Sequence, residues 1–116
     1  MQRTLLKSKL HGATVTQTEL YYDGSITIDV HLMEMADIVE NERVQIVNVN
    51  NGVRFETYVI RGEKGSGMIC LNGPAARLGI KGDIIHILSY DNISSEELED
   101  FTPGIFILNE KNEIIQ

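Results

Sequence analysis

The stretch RVQIVNVN (residues 43–50) is followed by NG (51–52) and then by VRFETYVI (53–60). Both flanking runs alternate apolar with polar side chains, which is the pattern of a strand with one buried face. Because an Asn-Gly pair readily adopts the positive φ angles of a tight turn, we predict a β-hairpin with a type I′ turn at residues 51–52. This hairpin indicates a fold built mainly from β-strands.

The remainder of the chain has the composition of further strands. Ile, Val and Thr together make up 30 of its 116 residues, and β-branched side chains favour strands. Strands are predicted at residues 14–22, 25–30, 67–71, 83–90 and 104–108, with a turn at 23–24. Short helices are predicted at residues 31–38, 74–78 and 94–100.

Length and spacing together predict the architecture. With 116 residues, against about 150 for an average domain, we expect a single domain over residues 1–116. No strand–helix–strand alternation is present, which argues against a doubly wound sheet. Many short strands separated by glycines favour a small closed β-barrel, because closure leaves no exposed sheet edges.

The charge of the chain excludes one class of partner. Lys and Arg number 10 against 17 Asp and Glu, for a net charge of −7, so we expect no nucleic-acid binding, which needs a basic face. The acidity is concentrated at one end: residues 91–116 contain one basic and seven acidic residues. The preceding 90 residues are nearly neutral, and the net charge therefore does not argue against an anionic substrate.

Cysteine and histidine usage offers no metal site. Cys70 is the only cysteine, so no intrachain disulfide forms, and we expect it to be a small buried side chain. His11, His31 and His86 lack ligand spacing, and His86 is expected to be a satisfied core or interface residue. The glycine-rich run 62–67 lacks P-loop spacing and predicts a loop between strands. No apolar run approaches about 20 residues and no signal peptide is evident, so we expect no membrane contact and a cytoplasmic location.

Four short motifs carry the functional information in this sequence. They are KLH (9–11), YDGS (22–25), NGVRFETY (51–58) and LNGPAA (71–76). In this order and spacing they resemble the pyruvoyl-dependent aspartate decarboxylases, and the resemblance extends from RTL (3–5) to about Tyr90. It implies a mainly β fold, a small six-stranded double-psi β-barrel with a few short helices.

The resemblance implies that the chain cuts itself. The Ser25 hydroxyl would attack the carbonyl of Gly24, and the chain would separate into residues 1–24 (the β chain) and 25–116 (the α chain). Residue 25 would become a covalent pyruvoyl group, with no metal and no pyridoxal phosphate. In this scheme Thr57 supplies the hydrogen-bond donor that the developing oxyanion needs.

The resemblance also implies the reaction. The pyruvoyl group forms a Schiff base with L-aspartate and acts as the electron sink as CO2 leaves, giving β-alanine for pantothenate and coenzyme A synthesis. Tyr58 matches the proton donor of the family. Arg54 is expected to bind a substrate carboxylate bidentately, with Lys9 as a second cation. The other implied substrate-binding positions are Thr57, Asn72, Gly73, Pro74 and Ala75, with His11 and Tyr22 as accessory residues near the site.

Members of the family are homotetramers with the active site at a subunit interface, and some need a helper protein for maturation. This chain departs from them at Pro74, where alanine is common, so a backbone N–H is absent there. Plain strand alternation places Arg54, Glu56 and Tyr58 on one face and Thr57 on the other. For Thr57 and Tyr58 both to reach the site, the strand must bulge or end there, or the site must lie between subunits.

Two other functions stay open at this point. A pyruvoyl decarboxylase of the same fold would act on another acidic amino acid, such as glutamate. A non-catalytic β-barrel binding module would keep Gly24-Ser25 as an ordinary turn.

Overall fold

Eight strands, one α-helix and two 3₁₀ helices form the chain in a computed structural model that describes residues 1–116. The strands are β1 (Gln2–Thr14), β2 (Gln17–Glu19), β3 (Ser25–Asp29), β4 (Arg43–Asn48), β5 (Arg54–Gly62), β6 (Ile69–Asn72), β7 (Ile84–Ser94) and β8 (Gly104–Ile107). Helix α1 (Val30–Ala36) follows β3, and the 3₁₀ helices are Gly73–Arg77 and Leu98–Asp100. The mainly β fold predicted from the sequence is confirmed.

The strands form one sheet in the order β2-β6-β3-β5-β4-β7-β1-β8. Strands β1 and β2 lie towards opposite ends of this order, yet only Val15 and Thr16 separate them in the chain. The Val15 amide donates to the carbonyl of Asp83 at 2.9 Å, and the Thr16 amide donates to that of Ile69 at 2.8 Å. The sheet therefore closes on itself through this segment. With β1 and β2 counted as one strand and β8 as an addition outside the ring, the barrel has the six strands expected.

Strand β5 is shared between two neighbours. Its first part pairs antiparallel with β4, ending at the pair Arg43 and Tyr58. Its second part pairs parallel with β3, beginning at the pair Ile26 and Val59. Strands β2 and β6 are also parallel, so parallel and antiparallel pairs are mixed, in agreement with a double-psi barrel. The register with β4 ends at Tyr58 and that with β3 begins at Val59, whose amide still donates to the carbonyl of Glu42 at 3.1 Å.

Alternate residues of the strands fill the barrel. The core cluster holds 18 buried apolar residues, among them Ile26 of β3, Ile46 of β4 and both Ile85 and Ile87 of β7. Burial of each such side chain contributes about 1.5–3 kcal/mol relative to exposure. Val44 and Ile46 are inward, as the alternation of apolar residues predicts, whereas beyond them the polar Asn48 is buried and Val49 is exposed.

The predicted hairpin is present, but the prediction of a type I′ turn is wrong. Strand β4 ends at Asn48 and β5 begins at Arg54, so the connection is longer than a two-residue turn. Gly52 has a φ of 75°, whereas Asn51 is not among the residues with positive φ, and a type I′ turn needs both. The Gly52 amide donates to the carbonyl of Asn48 at 2.8 Å. The Asn48 side chain also donates to the Asp83 carboxylate at 2.9 Å, which ties the longer loop to the barrel.

The first strand differs most from the sequence prediction. The predicted strand at residues 14–22 is reduced to Gln17–Glu19, and the longest strand, Gln2–Thr14, was not predicted. Register shifts between Leu6 and Ser8 and between Leu10 and Ala13 interrupt its alternation with β7. Bulges of this kind remove the period of two on which a strand prediction depends.

Two predicted helices agree with the structure and one does not. Helix α1 and the 3₁₀ helix Gly73–Arg77 lie where helices were expected, the latter with proline in its first turn. The predicted helix at 94–100 is reduced to Leu98–Asp100 because β7 continues through Ser94. Pairing of β7 with Gln2 of β1 at this end extends the strand.

A buried carboxylate organises the glycine-rich loop. Asp29 is 3% exposed, and its side chain accepts backbone N–H bonds from His31, Gly65 and Gly67, each at 2.8 Å. Gly65 and Gly67 have positive φ angles, which point their amides at the carboxylate. Residues 62–67 thus form a loop between β5 and β6, as predicted. This loop binds the carboxylate of Asp29 through its backbone amides.

The C-terminal segment, which carries none of the motifs, completes one end of the barrel. Asn112 is 3% exposed. Its side-chain oxygen accepts from the Thr14 amide at 2.7 Å, and its nitrogen donates to the carbonyls of Thr14 and Gly67 at 2.9 and 2.7 Å. This side chain joins the end of β1 to the glycine-rich loop.

We expect Asp29→Ala to lower the free energy of unfolding by about 2–3 kcal/mol, because it removes the buried charged acceptor that three backbone N–H groups share. Chemical denaturation measures the change. Glu63→Ala removes an exposed negative charge from the same loop and should stay within about 0.5 kcal/mol of the unchanged chain. Equal effects of the two substitutions would contradict this role of Asp29.

Candidate active site

Ser25 is the first residue of β3 and is fully buried. Its hydroxyl donates to the carbonyl of Asp23 at 3.1 Å and accepts a hydrogen bond from the side-chain nitrogen of Asn72 at 3.0 Å. The antiparallel register of β3 and β6 sets Ser25 directly opposite Asn72. The hydroxyl is therefore held in one position beside the Gly24–Ser25 peptide bond.

Every polar group of the Asn72 side chain has a partner. Besides Ser25, the nitrogen donates to the Thr27 hydroxyl at 2.8 Å, and the oxygen accepts from the Cys70 thiol at 3.1 Å. The four side chains, on alternate positions of two paired strands, face the same side of the sheet; we call them the polar quartet. Burial raises the pKa of the Cys70 thiol, and the negative charge of Glu19 raises it further, so the thiol keeps its proton.

The turn that precedes Ser25 lies directly against Gly73. Gly73 has a φ of 63°, and a Cβ atom added there would lie 2.5 Å from the carbonyl oxygen of Tyr22 and 2.8 Å from the Gly24 amide nitrogen. A Cβ on Gly24 would lie 3.2 Å from Cδ of Pro74. Residue 73 must therefore be glycine for the two backbone segments to approach this closely.

A cavity of about 370 Å³ opens next to Gly24. It is lined by Gly24, Phe55, Glu56, Thr57, Tyr58, Pro74, Ala75 and Leu78. The structure thus brings together five of the residues that the sequence analysis grouped from separate motifs.

Thr57 and Tyr58 both line this cavity although they lie on opposite faces of β5. Plain alternation predicted that Thr57 faces away. Strand β5 keeps a regular register through Thr57 and Tyr58 and continues to Gly62, so it neither bulges nor ends there. Of the conditions set out above, a site between subunits stays a prediction. Pairing with β3 starts at Ile26 and Val59, so one further step along that register brings Ser25 level with Tyr58.

Four other candidate residues lie outside the cavity of a single chain. Lys9 and His11 are on β1, where they pair with β8. Arg54 is exposed at the start of β5 and donates to the side-chain oxygen of Gln45 at 3.2 Å. Tyr22 is exposed and lines a separate groove beside the polar quartet. The structure of one chain does not bring these four side chains to Gly24.

His11 stacks on His86 with 4.0 Å between the ring centroids and 20° between the ring planes. Nδ1 of His86 accepts the Gly12 amide hydrogen at 3.0 Å. Burial lowers the pKa of His86, and the nearby charges of His11 and Lys9 lower it further. His86 is therefore a neutral, hydrogen-bonded residue, as the sequence predicted.

Sequence reasoning missed several residues that surround Gly24 and Ser25. Phe55 and Leu78 supply the apolar wall of the cavity, and Glu56 adds a carboxylate. Thr27 and Cys70 complete the polar quartet. Cys70 lies two residues before Asn72, so strand alternation places both on one face; that Ser25 and Thr27 lie opposite them depends on strand pairing, which no local pattern reveals.

The family of the chain follows from comparison with known proteins. The family model described as "Aspartate decarboxylase" matches residues 1–115. The chain belongs to the aspartate decarboxylase family. It is 62% identical to the aspartate 1-decarboxylase of Acetivibrio thermocellus over 112 residues, which cover 97% of this chain and 89% of that protein. It is 55% identical to the aspartate 1-decarboxylase of Halalkalibacterium halodurans over 116 residues, 100% of this chain and 91% of the relative.

Two further findings concern this family member as a whole. No group of three or more His, Cys, Asp or Glu side chains is placed to hold a metal ion. None of its helices combines the length and the apolar character needed to cross a membrane.

We expect Gly73→Ala to destabilise the chain more than Gly52→Ala does. Both positions have positive φ, which costs a residue with a side chain about 1–2 kcal/mol. Nothing lies within 4 Å of a Cβ at Gly52, whereas a Cβ at Gly73 overlaps the 22–24 turn and adds about 1–3 kcal/mol. Denaturation of both variants measures the difference, and equal losses would show that the close approach at Gly73 costs nothing.

We expect stability to fall as the pH drops below the usual imidazole range, in part through His86. Because its pKa is lowered on folding, the unfolded chain binds this proton more tightly, and acid therefore favours unfolding. The free energies of unfolding at pH 7.5 and at pH 5.5 measure the effect, because these two pH values lie on either side of the ordinary imidazole pKa of about 6.5. The loss should be smaller in His86→Leu than in the unchanged chain. Equal losses in the two proteins would contradict the assignment.

Proposed function

We propose that this chain is a self-processing, pyruvoyl-dependent aspartate 1-decarboxylase that converts L-aspartate to β-alanine and CO2. The observation that carries the proposal is the position of the Ser25 hydroxyl, which Asn72 holds beside the peptide bond of Gly24. Gly24 in turn lines the same cavity as Thr57 and Tyr58. Membership of the aspartate decarboxylase family and the names of the similar proteins support the substrate.

Self-processing begins with an N-to-O acyl shift. Oγ of Ser25 forms a bond to the carbonyl carbon of Gly24, the C–N bond between these residues breaks, and the hydroxyl proton ends on the freed nitrogen. Negative charge develops on the carbonyl oxygen as the bond forms, and a hydrogen-bond donor there stabilises it. We assign this donor role to the Thr57 hydroxyl, which borders the same cavity as Gly24.

Elimination then completes the cut. Loss of the Cα proton of residue 25 and rupture of its Cβ–Oγ bond release residues 1–24 with a C-terminal carboxylate. One water molecule hydrolyses the remaining dehydroalanine, with loss of ammonia, and leaves a pyruvoyl group at the start of residues 25–116. The position fits such a group, because the side chain of residue 25 is fully enclosed and is hydrogen bonded by Asn72.

The pyruvoyl carbonyl supplies the electron sink that loss of the substrate α-carboxylate requires. Around it, Pro74 and Ala75 border the space for substrate, Gly73 packs against the 22–24 turn, and Asn72 holds residue 25. The phenol of Tyr58 opens on the cavity and can deliver the proton that replaces the lost carboxylate.

Binding of aspartate needs positive charge that one chain does not supply at the cavity. Glu56 lines the cavity and repels an anionic substrate. Arg54, whose planar guanidinium suits a carboxylate, and Lys9 both lie outside the cavity of their own chain. We therefore propose a homotetramer in which the site lies between subunits and a second copy contributes cations, with His11 and Tyr22 as accessory residues. The proposal leaves room for a helper protein that assists the self-cleavage.

Mass spectrometry and a decarboxylation assay test the proposal together. We expect the unchanged chain to give the fragments 1–24 and 25–116, the second with a new carbonyl at its start, and to release CO2 from L-aspartate. Ser25→Ala should stay intact and inactive because no hydroxyl is available. Ser95→Ala, which alters an exposed serine far from the cavity, should be cut and active.

Two outcomes would contradict the proposal. An unchanged chain that stays intact, with no new carbonyl even after incubation with a cell extract that could supply a helper, would favour a non-catalytic binding module. Release of CO2 from L-glutamate as fast as from L-aspartate would contradict the substrate, because one methylene group typically changes specificity by about 10-fold or more.

A further inference from the structure

We propose that Cys70 is a positioning residue for the self-processing of Gly24–Ser25, acting by holding the Asn72 amide in the orientation that presents its N–H to the Ser25 hydroxyl. The inference rests on the proposed function, since it concerns the rate of the cut. It is carried by the hydrogen bonds within the polar quartet of Ser25, Thr27, Cys70 and Asn72.

A side-chain amide can turn by 180° and exchange its oxygen with its nitrogen. Because the Ser25 hydroxyl donates to the carbonyl of Asp23, it accepts from Asn72 in the observed orientation, whereas the Thr27 hydroxyl can serve either orientation. In the observed orientation Oδ1 of Asn72 needs a hydrogen-bond donor, and Cys70 supplies it. Its thiol lies 3.1 Å from Oδ1 of Asn72 and donates to it, whereas the turned amide would face the thiol with N–H groups and leave only a weak sulfur acceptor for them.

The thiol is suited to a permanent donor role. Cys70 is 3% exposed and sits on β6 opposite Thr27 of β3. Its raised pKa keeps the proton on sulfur at neutral pH, so the donor is always present.

The orientation of Asn72 matters for the acyl shift. With its N–H toward Oγ of Ser25, the amide leaves the hydroxyl proton directed at the carbonyl of Asp23 and stabilises the negative charge that builds on oxygen as this proton departs. With its oxygen toward Ser25, the amide would accept the hydroxyl proton and offer no donor to the developing charge. The bond made and the bond broken are those of the acyl shift described above.

Three variants separate positioning from simple packing. Cys70→Ser keeps a donor, Cys70→Val keeps the bulk without a donor and is well accepted in a strand, and Cys70→Ala removes both. The measurement is the first-order rate at which freshly made chain is cut, followed by mass spectrometry. We expect Cys70→Ser to approach the unchanged rate and Cys70→Val to be slower by about 5- to 10-fold, the effect of one lost hydrogen bond.

A second measurement reports the orientation of the Asn72 amide in a chain that does not cleave itself. In an intact Ser25→Ala chain, the side-chain amide of Asn72 should give one sharp pair of NMR signals. We expect these signals to broaden or double when Cys70→Val is added and to stay single with Cys70→Ser. Asn48 and Asn112, which are buried and hydrogen bonded elsewhere, serve as internal controls.

The outcomes distinguish the two proposals. If the unchanged chain is never cut, the proposed function fails, and the NMR comparison alone then decides whether Cys70 orients Asn72. If the unchanged chain is cut and Cys70→Val is cut as fast as Cys70→Ser, the positioning role is overturned and the proposed function stands. If Cys70→Ser is as slow as Cys70→Val, the thiol acts through packing, and the inference is likewise wrong.

Discussion

Strand β5 hydrogen bonds to β4 on one edge and to β3 on the other, and the arrangement of the barrel and of its cavity depends on this shared strand. Its register with β4 runs to Tyr58, and its register with β3 begins at Val59. The shared strand joins the two halves of the sheet, and Thr57 and Tyr58 both line the cavity beside it. Because β3 begins at Ser25, the residue proposed to be cut lies level with Tyr58.

Close backbone packing and a small set of polar side chains then define the surroundings of residue 25. Gly73 lets the 22–24 turn approach more closely than any side chain would allow. On the other side, Asn72 fills its hydrogen-bonding capacity with Ser25, Thr27 and Cys70. A buried amide whose nitrogen and oxygen both have partners has one preferred geometry, because the turned amide gives up some of these hydrogen bonds.

The residues that stabilise the fold and the residues of the candidate active site lie in different parts of the chain. The carboxylate of Asp29 and the amide of Asn112 bind backbone groups of the glycine-rich loop and of β1, away from the cavity. Neither residue belongs to a recognisable motif. Their importance follows from burial, since a buried polar group that bridges backbone segments is costly to remove. The acidic C-terminal segment thus contains a structural residue although it carries most of the net charge.

Local patterns in the sequence determined the β-rich class, the hairpin of β4 and β5 and the motifs that identify the family. These features follow from alternation and from residues that are adjacent in the chain. Only the tertiary structure decided that residues 2–14 form a strand, that β5 lies between β3 and β4, and that Cys70 and Thr27 meet Asn72. Each of these depends on pairing between segments far apart in sequence, and such pairing leaves no period in the sequence because the partner, not the segment itself, supplies the hydrogen bonds.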